Sequence, residues 1–319
     1  MIKRYLLFMS MLWWSPMHAH PSPIPPDVRE GFVTVDGADL FYRTTGRGKP
    51  LVILHGGIGL SQDYLLPYMY RLAQSNLLIF YDQRACGRST GEITAETITV
   101  KRYVEDLEAI REAFHCDTIS ILGHSFGGYL AMEYAIAHPE RVEKLILSDT
   151  LPASSKGIEA AVQEWNKRYA PQAQELDALH DSEAFREGDE DVVERYYQRT
   201  LGLCCFNPDA AKLLNLRMSP LAAIHASLVD GYFTKSVLEQ PYDLCPSLKK
   251  LKIPTLIMHG DSEHLPASAA VELRQNMPQS RLVIINHCGH FPYVESPDAY
   301  FASIEEFLEP QRSQSTHGE

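Results

Sequence analysis

The sequence predicts a doubly wound α/β fold whose rhythm is broken once by a helical insertion. Short, largely apolar runs recur at 51–54, 77–81, 118–122, 144–147, 255–258 and 282–285, as in strands buried on both faces of a parallel sheet. Helical patterns alternate with them at 97–114, 126–137, 267–276 and 297–308. Residues 152–247 show no such strand and are rich in Glu, Ala, Gln, Leu and Arg, which reads as a helical cap inserted between two strands.

Taken in chain order, residues 1–19 have the shape of an export signal. Lys3 and Arg4 form a basic start, and the apolar run from Tyr5 to Trp14 is too short to span a bilayer. Cleavage after Ala19 would leave an exported protein, periplasmic or secreted, with no stable membrane span. Without a working signal the chain would be cytoplasmic. Residues 20–30 are proline-rich and read as a linker. The catalytic domain is then expected at 31–151 and 248–310, with the cap at 152–247. Segments 31–36 and 40–44 are β-rich and flank Asp36-Gly37, a hairpin signal. In 97–114, Val100, Val104, Leu107 and Ile110 fall at helical spacing, and Pro139 stops the helix over 126–137.

The 319 residues suit one α/β domain with an insertion. A formal net charge of −12 without a Lys/Arg cluster excludes nucleic acid as a partner. The six cysteines contain no CxxC pair, so no zinc site is signalled. Cys204 or Cys205 bridged to Cys245, and free buried thiols, both fit the spacing. No metal or organic cofactor is implied, and nothing in the sequence sets an oligomeric state.

Chemistry concentrates at the ends of the apolar runs. Gly123-His124-Ser125-Phe126-Gly127 fits G-x-S-x-G between a strand and a helix, the context that lifts a serine nucleophile onto a sharp turn. This is the nucleophile signature of the α/β-hydrolase fold. An oxyanion needs two backbone donors, expected from Phe126 and from Gly57 in the loop His55-Gly56-Gly57. The chain order of this fold puts the acid and then the histidine after the serine. His290, with His287 as the fallback, follows the last apolar run and is the expected base. Asp261 and Glu263 follow the run at 255–258, and Asp149 follows the run before it. Each is a carboxylate that could orient His290.

Five segments carry a family resemblance: HGGIG at 55–59, YDQRACGRS at 81–89, GHSFGGYLA at 123–131, HGDSEHLP at 259–266 and CGHFPYVESP at 288–297. The chain resembles the proline iminopeptidases and their α/β-hydrolase relatives. The resemblance implies a small peptide substrate and release of N-terminal residues. It also implies that the second carboxylate after Gly260 is the catalytic one, which lands on Glu263 in place of the usual aspartate. Ile58 replaces a proline, Phe126 stands where tryptophan is common, and Ala85-Cys86 stands where glycine is usual. None of these removes a reacting atom. A carboxylesterase, or another hydrolase of small acyl or carbon–carbon substrates, would use the same residues. In the resembled family, acids in the cap receive the substrate ammonium. The run 181–194, together with Glu159 and Glu164, offers many, although a solvated helix face accounts for such a run as well.

Overall fold

The computed structural model describes residues 22–309. The expected export signal lies outside the described residues. Eight strands form one sheet: β1 (Arg29–Val35), β2 (Ala38–Gly46), β3 (Lys49–Leu54), β4 (Asn76–Tyr81), β5 (Ile119–His124), β6 (Val142–Ser148), β7 (Thr255–Gly260) and β8 (Ser280–Ile285). Their order is β1-β2-β4-β3-β5-β6-β7-β8. The hairpin β1–β2 and the β2–β4 pair are antiparallel, and every later pair is parallel. Strand β1 begins at Arg29, slightly ahead of the expected boundary. Asp27 accepts hydrogen bonds from Thr45 Oγ1 (2.7 Å) and Gly46 N (3.2 Å), so the end of the proline-rich segment is tied to β2.

Side-chain alternation along the strands builds two cores, one on each face of the sheet. Val52, Leu54, Ile121, Leu145 and Ile257 pack on one face, against α1 (Val100–Ala113) and α2 (Phe126–Ala137). Leu51, Ile53, Leu122, Ile146 and Leu256 pack on the other. The insertion between β6 and β7 is helical: α3 (Ser155–Tyr169), α4 (Ala173–His180), α5 (Glu183–Arg186), α6 (Glu190–Gly202) and α7 (Pro220–Phe233). Ser219 caps α7 by accepting a hydrogen bond from Ala222 N, with Pro220 in the first turn. The single-turn α8 (Cys245–Leu248) leads into β7. Then come α9 (Ala267–Asn276), the short α10 (Pro292–Glu295) and α11 (Pro297–Leu308), whose Tyr300, Phe301 and Ile304 complete the second core.

No disulfide joins Cys204 or Cys205 to Cys245. All six thiols are free, and Cys245 packs in the first core while the other two pack in the second. Among the described residues no helix is long and apolar enough to cross a membrane.

The antiparallel hairpin is locked to α1 by one buried ion pair. Arg84 Nη2 and Nε reach the two oxygens of Asp106 at 2.6 and 3.0 Å, and Nη1 donates to Asp36 O at 2.9 Å. Both side chains are almost wholly buried. Burial pushes the Asp106 carboxyl above its usual range even against the guanidinium's pull. Asp106→Ala would strand a buried cation, so unfolding in urea should show a loss of about 3–5 kcal/mol.

Candidate active site

Strand β5 ends at His124 and α2 begins at Phe126, which leaves Ser125 alone to turn the chain. Its backbone sits at φ 57 and ψ −123, a conformation that costs a non-glycine residue of order 1–3 kcal/mol. The neighbouring backbone allows this by coming very close: a Cβ on Gly56 would fall 2.4 Å from Ser125 Cβ. Ser125 Oγ makes no hydrogen bond to another described residue.

The loop after β3 brings the expected oxyanion donors beside this turn. Gly56 N is used up, donating to Tyr64 Oη at 2.6 Å. Gly57 N and Phe126 N have no hydrogen-bond partner among the described residues, so both are free for a ligand. The loop is braced from below. His55 Nε2 accepts from Gln83 N (3.0 Å), and the Gln83 amide donates to His55 O (2.7 Å). Asp82 accepts from Gln62 N (3.0 Å) and Arg88 N (2.9 Å). The Asp82–Ser89 segment is thus a support for the loop. Burial holds the His55 imidazole below its ordinary pKa and therefore neutral.

His290 and Glu263 meet directly, with His290 Nδ1 2.7 Å from Glu263 Oε2. Both are buried. Nδ1 must donate, so Nε2 is the acceptor, and it has no partner among the described residues. Burial alone would raise the Glu263 carboxyl. The His290 and His264 rings outweigh that and keep it well below the usual carboxylate range. Asp149, also buried, takes the opposite course. Burial, and then the Glu263 charge, push it well above its usual value, and it accepts a hydrogen bond from Gly260 N at 2.9 Å.

The alternatives separate cleanly. Asp261 is exposed and accepts hydrogen bonds from Cys288 N (3.2 Å) and Ser262 Oγ (3.0 Å), not from His290. His287 is exposed, with its ring 5.4 Å from that of Phe206.

Two residues outside the expected set join the parts. Tyr64 Oη donates to His124 Nδ1 (2.7 Å), and His124 Nε2 donates to His290 O (2.7 Å). A continuous relay therefore runs from the oxyanion loop, past the serine, to the backbone of His290. Burial pushes His124 down to about 3, so its neutral form carries the relay. His124 lies inside G-x-S-x-G, read for another reason, and Tyr64 lies beyond the glycine loop at 55–59, in the segment Gln62–Leu65. Neither has a motif of its own.

The cap roofs the site. A Cβ on Gly59 would fall 2.4 Å from Ala226 O of α7, and one on Gly289 would fall 2.2 Å from Cys204 O. Phe233 of α7 packs against Phe126 with centroids 4.8 Å apart and the rings tilted at 57°. An open groove of about 660 Å³ lies at the other ends of the strands beside Val142 and Ile253. Ser125, Glu263 and His290 are not among the residues that line it.

A family model described as alpha/beta hydrolase fold matches residues 49–297. The chain belongs to that family and is a hydrolase. Within it the chain is proline iminopeptidase-like. A proline iminopeptidase of Saccharolobus solfataricus is 30% identical over 291 residues, which cover 89% of this chain and 93% of that one. One of Lactobacillus helveticus is 28% identical over 299 residues, covering 89% and 98%. The crystal structure of a Mycobacterium smegmatis proline iminopeptidase matches with TM-score 0.66 at 20% identity, covering 88% of this chain and 97% of that one. The crystal structure of an esterase from Rhodococcus sp. ECU1013 matches with TM-score 0.63 at 24% identity, covering 88% and 98%. These two structures share the fold.

Tyr64→Phe removes the middle of the relay and leaves Gly56 N and His124 Nδ1 buried without partners. Denaturant unfolding should show a loss of about 1–3 kcal/mol. Steady-state kinetics should show kcat falling more than KM rises.

Proposed function

We propose that the chain is a serine aminopeptidase of proline iminopeptidase type, with Ser125 as nucleophile, His290 as general base and Glu263 as the acid that orients it. The observation that carries this reading is the ionised Glu263 set 2.7 Å from His290 Nδ1, with the ring's other nitrogen left to receive a proton. His290 Nε2 takes the Ser125 proton as Oγ attacks the scissile carbonyl. Gly57 N and Phe126 N receive the oxyanion, and the positive end of α2 favours it further. His290 then returns the proton to the leaving amine. Water repeats the cycle on the acyl-enzyme.

An aminopeptidase must also hold a free ammonium. The acids of the 181–194 run are poor anchors. Glu190, Asp191 and Glu194 surround Arg217 on the outside of the cap. Asp230 fits better. It shares a side of α7 with Ala226, which touches the oxyanion loop, and Phe233, which touches Phe126. It is exposed, yet crowding by the protein raises its carboxyl to about 6. The Rhodococcus esterase likeness supports a second reading, ester hydrolysis by the same residues.

Proline and other aminoacyl fluorogenic amides, with free and blocked N-termini, assayed beside p-nitrophenyl esters, separate the two. Cleavage of free-amine amides supports the peptidase, and ester cleavage without amide cleavage overturns it. Ser125→Ala should abolish turnover. Glu263→Gln should lower kcat by about 10⁴-fold, while Asp261→Asn stays within a few-fold of the parent.

The Asp230 carboxyl is raised, so it is ionised above about pH 6 and neutral below. Affinity for a free-amine substrate should fall as pH drops through that value. KM for a blocked substrate should stay flat, and Asp230→Asn should remove the difference.

A further inference from the structure

Glu263 does not serve His290 alone. Its other oxygen, Oε1, accepts from the backbone N–H groups of His264 (2.8 Å) and Leu265 (3.1 Å). The His264 ring lies on the same oxygen, with Nδ1 2.5 Å away. That approach is close but lies off a hydrogen-bond direction, and it is an ion pair when the ring is protonated. The His264 and His290 rings stand 4.9 Å apart, and one carboxylate lies against both.

We propose that His264 is a positioning residue that shares Glu263 with His290 as a cation and thereby sets how far into acid His290 can still accept a proton. The proposal rests on the catalytic reading of Ser125, His290 and Glu263. A glutamate carries one more rotatable bond than an aspartate, and the contacts on Oε1 fix that extra freedom so that Oε2 faces His290. During attack His290 gains a positive charge. A second cation on the same carboxylate opposes that charge.

The surroundings of His264 support a charged ring. Burial opposes the charge, but the groups around the ring, the Glu263 carboxylate among them, outweigh it and hold the imidazole well above its ordinary value. From α3, the Trp165 ring lies 5.9 Å away and the Arg168 guanidinium donates to Ser262 O (3.2 Å) and Glu263 O (3.0 Å). From β7, His259 Nε2 donates to Leu265 O at 3.1 Å, and burial keeps that ring below its ordinary value. Asp149, at the end of β6, is kept neutral by burial. Glu263 is therefore the ionised carboxylate that the His264 ring faces.

The test is the pH profile of kcat/KM for the parent, His264→Gln and His264→Leu on one substrate from the panel above. Asp230 contributes equally to all three, so the difference between profiles isolates His264. The acid limb should move to higher pH by about one unit in both variants. An unmoved limb overturns the proposal. Ring ¹⁵N shifts of the unsubstituted protein give a second readout that needs no folded variant. His264 should carry both ring protons at a pH where the enzyme is fully active, and a neutral His264 there overturns the proposal. Activity that survives Ser125→Ala would instead overturn the catalytic reading, so the two failures are distinguishable.

Discussion

The site depends on one close backbone approach. Ser125 makes its positive-φ turn directly against Gly56, where a side-chain carbon would fall 2.4 Å from the serine's own Cβ. That contact places the oxyanion loop and the nucleophile in a single rigid piece. Strain of a few kcal/mol at Ser125 persists because β5 and α2 over-determine the turn from both sides. Strand β5 is buried along its whole length, and α2 is buried on almost every face.

From that contact the geometry spreads outward by hydrogen bonds. The Gly56–Tyr64–His124–His290 relay crosses from β3 to β5 to the loop after β8. Gly56, Tyr64 and His124 are buried and uncharged, so the relay constrains position without adding charge. Charge at the site centres on Glu263. Two buried carboxylates near each other take opposite states, Asp149 neutral and Glu263 ionised, because only Glu263 has imidazoles to balance it.

Most of the fold could be read from the sequence because buried parallel strands are largely apolar and short. The run at 51–54 falls inside β3, which begins two residues earlier, and the run at 118–122 starts one residue ahead of β5, which ends two residues beyond it. The stretch between β3 and β4 was opaque. It folds as two 3₁₀ segments, Gln62–Leu65 and Tyr68–Gln74, which have neither the length nor the period that sequence patterns detect. Residues with motif context, such as Ser125, Glu263 and His290, were legible by spacing and resemblance. Tyr64, His124, Asp230 and His264 were not. Their roles arise from which elements the tertiary fold sets side by side. The acidic run behaves as the solvated helix face the sequence allows: Glu190, Asp191 and Glu194 pair with Arg217, a partner distant in sequence.

The seat of His290 on the cap has a consequence for engineering. His290 N donates to Cys204 O at 2.9 Å, and Arg168 of α3 holds the carbonyls of Ser262 and Glu263. The insertion is therefore not an interchangeable module. A chimera that exchanged residues 152–247 for another lid would also exchange the backbone on which the loop after β8 rests. Grafting a new specificity onto this scaffold requires a donor lid with a carbonyl at the place of Cys204 and a cation at the place of Arg168.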